Sequence, residues 1–373
     1  MPMPSTQTDV AVIGGGVVGA AIALGLARRG LKTTILDEGD RAARASRANF
    51  ALVWVQSKGL CMPAYLDWTR RSAESWQAFA DGLRDQTGVD LCLEQRGGFT
   101  IALSEAELER HARRMVQRHN QQGGDFQYRV LDHAATAAML PQIGPDVVGS
   151  IFSPYDGHVN GWRLLRALHV AFAGHGGRYV PEAKVGAIVP RAGGFRLETA
   201  QGPLEAGRLV LAAGLGNAAL APMVGLTAPV RAQRGQILVT ERLKRFLHYP
   251  TSTVRQTDEG TVMIGDSQEE AGSDVEMNAA INAVMAARAV RTFPLLGSAG
   301  IVRTWAGLRV MSPDGCPIYD QSTEFPGAFL TTCHSGVTLA ANHAGAIAAA
   351  IADGRLPSGL APFSAQRFRQ SAA

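Results

Sequence analysis

A glycine-rich turn near the N-terminus places the strongest constraint on the fold of this chain. Gly14, Gly16 and Gly19 form a GxGxxG pattern that follows an apolar run at 9–13 and precedes an Ala/Leu-rich run at 20–29. In such a turn the first glycine permits the tight bend, the second lets the backbone approach a pyrophosphate, and the third allows close helix packing. The order strand, turn, helix therefore predicts a dinucleotide-binding βαβ unit.

The segment after the predicted helix completes this unit. Gly30 is expected to end the helix, and residues 32–36 form a second strand that leads to Asp37. A carboxylate at this point can accept hydrogen bonds from ribose hydroxyls and would repel the 2′-phosphate of NADP. The pattern thus predicts a Rossmann unit but does not distinguish FAD from NAD.

The length of the chain and its later segments predict two interleaved domains. A chain of 373 residues exceeds the size at which a single hydrophobic core continues to grow. Short strands predicted at 91–93 and 99–103, followed by a helix from Ser104 with Glu107 in a capping box, indicate an inserted second domain. We predict an α/β fold with a Rossmann-type cofactor-binding domain (1–90, 150–225 and 310–373) interleaved with a mixed-sheet α+β substrate domain (91–149 and 226–309).

Composition and cysteine spacing argue against several functions. The net charge is +4 with scattered Lys and Arg residues, so nucleic acid is not implied. The four cysteines show neither CxxC pairs nor histidines at metal-ligand spacing, so we expect no metal and no iron–sulfur cluster in this chain. We expect no signal peptide, because residues 1–8 lack a charged region and a cleavage site. We expect no transmembrane segment, because the apolar stretch at 209–226 contains Asn217, Pro222 and several glycines. These observations predict a cytoplasmic protein.

Further motifs resemble a known superfamily. Residues 45–49 read ASRAN, residues 209–216 form a late strand ending in Ala-Gly, residues 305–318 contain WAGLR, SPDG and PI, and residues 333–339 read CHSGVTL. Together these segments resemble the D-amino acid oxidase-like superfamily of FAD oxidoreductases, which includes glycine oxidase and sarcosine oxidase. The resemblance spans almost the whole chain, and it implies an FAD cofactor and the fold of those enzymes.

Three other strings resemble one branch of this superfamily. They are ANFALVWVQ at 48–56, RGQ at 234–236 and VRQT at 254–257. The branch comprises opine oxidases, the β subunit of D-hydroxyproline dehydrogenase and hydrogen cyanide synthase. It implies a catalytic FAD subunit that works beside partner chains carrying an iron–sulfur cluster and a second flavin.

The fingerprint and the resemblance together imply a set of cofactor-binding residues. The backbone N–H groups of 336–339, at the start of the final helix, would stabilise negative charge on the flavin. The cofactor-binding residues expected are Gly14, Gly16, Gly19, Asp37, Ser46, Asn49, Val185, Gly214, Gly336, Val337, Thr338 and Leu339. Sarcosine oxidases attach their flavin to a cysteine before their TPD motif, and the position here is Gly307. Cys316 lies after that motif, so we expect noncovalent FAD.

Arg309 is the first candidate for substrate binding. A guanidinium can hold a carboxylate bidentately, and the superfamily uses the arginine of its GLRP segment in this way. Arg309 and His334 are the candidate catalytic residues, with Gln236 and Arg255 as further candidate substrate contacts. The alternatives are a structural ion pair for Arg309 and backbone capping for His334.

For several other side chains the sequence allows both a role in substrate binding and a purely structural role. Arg234 and Arg255 suit a second carboxylate, as an opine would require, but they equally suit pairing across a sheet. The sequence leaves open whether Lys58, Tyr65 and His158 line the pocket.

These elements predict an enzyme that oxidises the C–N bond of a small amino or imino acid or an opine. The reaction needs the α-hydrogen aimed at flavin N5, an unprotonated amine and a fixed carboxylate, and a side-chain base is not obligatory. We predict the catalytic β subunit of a hetero-oligomeric dehydrogenase. The alternatives are a stand-alone oxidase that uses oxygen, like glycine and sarcosine oxidases, and a non-catalytic flavin-bound assembly subunit.

Overall fold

The computed structural model describes residues 7–39 and 44–368. The strands in these ranges are β1 (Gln7–Ile13), β2 (Thr33–Leu36), β3 (Leu52–Val53), β4 (Gly98–Ala102), β5 (Arg129–Asp132), β6 (Gly149–Ser153), β7 (Gly157–His158), β8 (Arg178–Val180), β9 (Val185–Arg191), β10 (Gly194–Thr199), β11 (Gly202–Leu211), β12 (Arg231–Arg242), β13 (Val254–Gln256), β14 (Thr261–Ile264), β15 (Ile301–Met311), β16 (Ile318–Gln321) and β17 (Ala328–Thr332).

The helices of the same ranges are α1 (Val17–Ala27), α2 (Pro63–Glu74), α3 (Trp76–Thr87), α4 (Glu105–Gln121), α5 (His133–Met139), α6 (Gly161–Gly174), α7 (Asn217–Leu220), α8 (Ala279–Thr292), α9 (Ala340–Asn342) and α10 (Ala348–Ala352). A π-helical turn, His343–Ile347, joins α9 to α10, so the last helix is continuous. None of the helices in the described ranges is long and apolar enough to cross a membrane.

The largest sheet is built on the predicted Rossmann unit. Its main strand order is β16-β17-β11-β1-β2-β8, in which β17, β11, β1, β2 and β8 run parallel. β9 and β10 extend it as an antiparallel meander on β11. α1 packs between this sheet, α6 and the final helix, and nearly all of its side chains are buried because the run carries no charge. The predicted α/β fold class is confirmed.

Two local predictions need correction. Helix α1 covers Val17–Ala27 rather than 20–29, because Gly16, in extended conformation, is its N-cap and the helix begins directly after the glycine turn. The predicted strand at 91–93 is wrong. Asp90 Oδ1 accepts the Cys92 N–H at 2.8 Å, and Cys92 has a φ of 51°, which an extended strand does not allow.

Two antiparallel sheets form the other side of the molecule. One has the order β13-β14-β12-β15 and the other the order β4-β6-β5. Phe99 of β4 links them, because its N–H donates to the Pro250 carbonyl at 3.0 Å and its carbonyl accepts the Ser252 N–H at 2.9 Å. One apolar core lies between these sheets and α8.

Helix α4 packs against the other large core through Leu108, Ala112 and Met115. Ser104 Oγ caps it by accepting the Glu107 N–H at 3.3 Å, but the Glu107 carboxylate accepts the Leu103 N–H at 2.9 Å instead of the Ser104 N–H, so the predicted capping box forms only in part.

The predicted domain boundaries stay a prediction. The boundary at 150 falls within β6, which pairs with β4 and β5, and the boundary at 310 falls within β15, which pairs with β12. Residues 1–6, 40–43 and 369–373, which the prediction assigns to the cofactor domain, lie outside the described residues.

Candidate active site

The turn between β1 and α1 has no room for side chains at two of its glycines. Gly14 has a φ of 108°, in the left-handed region that glycine tolerates, and an added Cβ there would lie 2.4 Å from the Ala212 carbonyl oxygen. A Cβ at Gly19 would lie 1.9 Å from the Gly14 carbonyl oxygen. These two glycines therefore let α1 and β11 approach the turn closely.

The beginning of α1 forms a cradle that fits a dinucleotide. Gly16 caps the helix without a side-chain hydrogen bond, and a Cβ at this position would lie 2.7 Å from Ser46 Oγ. Ser46 Oγ accepts the Val17 N–H at 2.9 Å, and Asn49 Nδ2 donates to the Ser46 carbonyl at 2.7 Å. Asn49 Oδ1 is buried and has no partner within the described part of the chain. Apart from the Val17 N–H, this helix N-terminus has no side-chain cap, which suits a pyrophosphate, and the orphaned acceptor suits a cofactor hydroxyl.

Asp37 lies beside this turn at the end of β2. Its Oδ2 accepts the Gly15 N–H at 2.7 Å, and its Oδ1 lies 3.6 Å from Arg44 Nη1. The Asp37 carbonyl accepts the Ala183 N–H at 2.7 Å. This bond brings the start of β9, and with it the buried Val185, to the same end of the sheet.

The predicted segment at 336–339 is anchored to the strand region at 52–54. Thr338 Oγ1 accepts the Trp54 N–H at 3.1 Å and donates to the Leu52 carbonyl at 3.2 Å. Leu339 is fully buried, and its N–H donates to the Ser335 carbonyl at 3.0 Å. These bonds fix the backbone of the segment at the wall of the central cavity.

Backbone donors of this segment remain available for a bound group. The N–H groups of Gly336, Val337 and Thr338 make no hydrogen bond with the residues that the structure describes. Val337 and Thr338 line the central cavity. Gly214, with a φ of 58°, turns the chain out of β11 against Val310 and does not belong to the cavity wall.

A cavity of about 460 Å³ lies between the Rossmann side and the two antiparallel sheets. Residues 45–58, helix α4, strands β12 and β15 and the segment around 334–338 contribute to its wall. The predicted site residues that the structure brings to this wall are Asn49, Lys58, Arg309, His334, Val337 and Thr338. Tyr65 lies behind it and donates from its hydroxyl to Ser335 Oγ at 2.7 Å. The cavity is therefore continuous with the residues of the dinucleotide cradle.

Arg309 presents a fixed cation to this cavity. Its Nη1 donates to the Ser267 carbonyl at 2.6 Å and to the Arg234 carbonyl at 3.3 Å. Its Nη2 lies 4.0 Å from Asp266 Oδ1. A Cβ at Gly235 would lie 2.4 Å from Arg309 Nη1, so the guanidinium occupies the space above this glycine. Burial lowers the pKa of Arg309, whereas Asp266 raises it.

Lys58, His334 and Asp266 are titratable side chains close to Arg309 in the electrostatics of the wall, and their pKa values are shifted. Burial lowers the pKa of Lys58. The nearby Asp266 carboxylate raises this pKa, and the positive charge of Arg309 lowers it further. His334 opens onto the cavity but is surrounded by protein atoms, and its pKa is held well below 6.5 by burial, Lys58 and Arg309. Burial raises the pKa of Asp266, while Arg309 opposes this shift. The site therefore combines a neutral imidazole with a positive electrostatic field.

Strand alternation directs two predicted residues away from the cavity. Gly235 and Ile237 of β12 line the wall, so Arg234 and Gln236 lie on the opposite face. Arg234 Nη2 pairs with Glu269 Oε2 at 2.8 Å, and Gln236 Nε2 donates to Glu269 Oε1 at 2.7 Å. The structure does not bring Gln236 to the candidate substrate site, because Glu269 holds its amide on the other face.

Arg255 is also used within the protein. Its Nε donates to the Phe50 carbonyl at 2.5 Å, and its Nη1 lies 3.2 Å from His158 Nδ1. Arg255 is 5% exposed, and neither it nor His158 is part of the cavity wall. His158 in turn lies 3.8 Å from the Glu94 carboxylate. The arginine therefore fixes the segment around Phe50 and is not placed to contact a substrate in this cavity.

Helix α4 supplies wall residues that sequence reasoning missed. His111, Arg114, Met115 and Arg118 follow the i, i+3, i+4, i+7 spacing of one helix face, and all four line the cavity. Arg118 Nε donates to the Lys58 carbonyl at 2.9 Å, which docks this face on the cavity. The helical spacing was visible in the sequence, but the docking was not.

The cysteines lie elsewhere. Cys61, Cys92, Cys316 and Cys333, all within the described residues, are absent from the cavity wall. The wall has glycine at position 307, where an added Cβ would lie 2.4 Å from the Ala48 Cβ. A side chain at Gly307 would therefore push β15 away from the segment at 45–49.

Comparisons with known proteins agree with this architecture. A family model described as FAD dependent oxidoreductase matches residues 9–350. An opine oxidase subunit of Agrobacterium tumefaciens (strain Ach5) is 50% identical over 363 residues, which cover 97% of this chain and 98% of that protein. The corresponding opine oxidase subunit of Rhizobium meliloti is 47% identical with the same coverage. The crystal structure of glycine oxidase from Geobacillus kaustophilus has a TM-score of 0.88 at 25% identity, covering 96% of this chain and 98% of that one.

Proposed function

Because this chain belongs to the DAO family of FAD-dependent oxidoreductases, we propose that it oxidises the C–N bond of a small amino or imino acid, with opines as the preferred class. Its similarity over nearly the full length to the two opine oxidase subunits supports this substrate class. In an opine a secondary amine joins two carbon atoms that each carry a carboxylate.

The position of Arg309 carries the proposal. Its guanidinium is held on the wall of the cavity by a hydrogen bond to the Ser267 carbonyl. It makes no close ion pair with Asp266, whose carboxylate lies 4.0 Å away. A partly desolvated guanidinium of this kind holds a carboxylate through charge-assisted hydrogen bonds. The non-catalytic alternative gives no reason for an arginine held in the cavity in this way.

The reaction converts an amine to an imine. FAD held at the cradle of Gly16, Ser46 and Asn49 would supply the two-electron oxidant that takes up the hydrogen on the carbon beside nitrogen as hydride, while the nitrogen loses one proton and the C–N bond becomes C=N. Water then adds to the imine and releases the carbonyl compound and the amine. Arg309 orients the carboxylate so that the hydrogen lies in a reactive position.

The other wall residues prepare the amine and the cofactor. The positive field of Lys58 and Arg309 favours the unprotonated amine, because it lowers the pKa of a neighbouring ammonium group. His334, as a neutral imidazole, is suited to hydrogen-bond the substrate or the cofactor without adding charge. The N–H groups of Val337 and Thr338 are suited to stabilise negative charge on the cofactor.

Two finer properties belong to the same proposal. We expect noncovalent FAD, since Gly307 offers no thiol and the cysteines lie outside the cavity wall. Acid precipitation should therefore release all the flavin into solution, and flavin left in the pellet would count against this expectation. We also propose a cytoplasmic, hetero-oligomeric dehydrogenase, supported by the subunit designation of the two relatives, with an iron–sulfur cluster and a second flavin on partner chains.

Anaerobic flavin reduction tests the reaction. The holoenzyme is mixed without oxygen with opines, D-amino acids, proline analogues and glycine, and the loss of visible flavin absorbance is followed. We expect reduction by an opine and none by the corresponding amine without carboxylates. Equal reduction by both compounds would contradict the role of Arg309, and no reduction by any amine would contradict the proposed activity. Rapid reoxidation by oxygen without partner chains would favour the stand-alone oxidase, which the similarity to glycine oxidase also supports.

A further inference from the structure

We infer that Arg114 on helix α4 is a specificity-determining residue that binds a second carboxylate of the substrate, in the cavity that Arg309 also lines. This inference rests on the proposed function and names the side chain that selects dicarboxylate substrates. The two arginines that the sequence offered for this task, Arg234 and Arg255, are held elsewhere by Glu269 and by the Phe50 carbonyl.

The charge of the cavity wall exceeds what one carboxylate needs. Four cations, Lys58, Arg114, Arg118 and Arg309, face a single carboxylate, Asp266. With Asp266 facing one of the cations and a single substrate carboxylate facing another, two of the four cations would lack a counter-charge. A substrate with two carboxylates matches it better.

Arg114 is the cation of this set that has a free guanidinium. Arg118 is buried; its Nε donates to the Lys58 carbonyl at 2.9 Å and its Nη1 donates to the Arg114 carbonyl at 3.2 Å. The Arg114 side chain is exposed and makes no hydrogen bond or ion pair with the residues in the described ranges. Its neighbour His111 is disfavoured as a second cation, because burial and Arg110 lower the pKa of that imidazole.

The backbone that carries Arg114 is held in place at both ends of α4. Ser104 caps the first turn, and Glu107 pairs with Arg288 at 2.9 Å. The Arg118 bond to the Lys58 carbonyl fixes the last turns. A free guanidinium on a fixed helix suits ligand recognition, because only the side chain must be ordered when the ligand binds.

The cavity also has room for a longer substrate. A second space of about 420 Å³ adjoins it and shares the wall residues Thr100, His111, Ser252, Asp266 and Gln268. α4 lies at this junction, with His111 in both walls. A substrate arm too long for the first space can thus extend past His111 into the second.

Binding of a non-reacting ligand tests the inference without turnover. Thiodiacetate has two carboxylates and a sulfur atom in place of the amine, and (methylthio)acetate lacks the second carboxylate. Calorimetric titration of the FAD holoenzyme measures both affinities for wild type, Arg114→Gln and Arg113→Gln. Arg113 is the matched control, because it is the adjacent arginine and pairs with Glu109 at 3.4 Å on the outer face.

We expect Arg114→Gln to weaken thiodiacetate binding roughly 5- to 30-fold, as for a charge-assisted contact that is partly exposed. Binding of (methylthio)acetate should stay within about twofold of wild type. Arg113→Gln should change neither affinity, and Arg114→Lys should recover part of the loss. Unchanged thiodiacetate binding in Arg114→Gln, or equal losses for both ligands, would overturn the inference. The proposed function is judged separately by flavin reduction, so either can fail while the other stands.

Discussion

Replacing Gly235 by alanine should displace Arg309 without altering the arginine itself. The added Cβ would lie 2.4 Å from Arg309 Nη1, 2.6 Å from Cζ and 2.6 Å from Nη2, whereas ordinary contacts begin at 3.4 Å. The guanidinium must therefore move by about 1 Å, a shift that a long side chain can make without unfolding the strand. Gly235 does not have a positive φ, so alanine adds no backbone strain.

The magnitude follows from the hydrogen bonds that a displaced guanidinium loses. A hydrogen bond to a charged group contributes about 1.5–3 kcal/mol, and every 1.4 kcal/mol is about tenfold in affinity, so binding should weaken roughly 10- to 150-fold. Arg309→Lys should cause a loss of similar size, because lysine keeps the charge but lacks the planar fork. If both changes act on the same contact, Gly235→Ala should add little in the Arg309→Lys background.

The assay is the substrate dependence of anaerobic flavin reduction, with the flavin spectrum as a check on the fold. Gly82→Ala is the control, because an added Cβ at this position in α3 would meet no atom within 4 Å apart from its chain neighbours and the nearby backbone of its own helix. Wild-type affinity in Gly235→Ala would refute the proposed position of Arg309 at the substrate carboxylate. Fully additive losses in the double variant would show that the two residues act on different contacts.

The remaining predictions concern cofactor retention and stability. Gly16→Val should abolish FAD retention, because its side chain would enter the cradle beside Ser46; the ratio of flavin to protein absorbance measures this, and a normal ratio would show that the cofactor does not approach this turn. Burial raises the pKa of Asp156 to about 7 from its ordinary 3.8. The unfolded carboxylate therefore ionises first, and the free energy of unfolding should fall with rising pH between these values, by on the order of 4 kcal/mol from this group. Asp156→Asn should remove this dependence in denaturant titrations across that range, and an unchanged dependence would assign it to other groups.

Local sequence rules were sufficient for the cofactor side of the molecule. The φ of 108° at Gly14 and the short distance between Gly19 and the Gly14 carbonyl are requirements of neighbouring residues, so the GxGxxG spacing encodes them directly. The strand that ends just before Asp37 also followed from a short string, whereas the cofactor role expected of 336–339 stays a prediction. The family, the FAD cofactor and the α/β fold could be predicted for this reason.

The substrate side depended on which surfaces meet in the folded chain. The period of β12 puts Gly235 on one face and Gln236 on the other, but the sequence does not say which face α8 covers. In the structure the Gln236 Oε1 accepts the Asn278 N–H at 2.9 Å at the start of α8. The face of β12 that carries Gln236 therefore packs against α8. Arg309 was predicted because its motif is local to one strand.

Arg255 and Arg114 show most clearly what the sequence determined and what only the tertiary structure decided. Both are arginines on elements whose type the sequence predicted, yet Arg255 is buried against the Phe50 carbonyl and Arg114 opens onto the cavity. The sequence determined the elements, because turns, caps and strand periods depend on residues close along the chain. Only the tertiary structure decided which side chains share the cavity, because its wall brings α4 together with β12 and β15, which lie more than a hundred positions further along the chain.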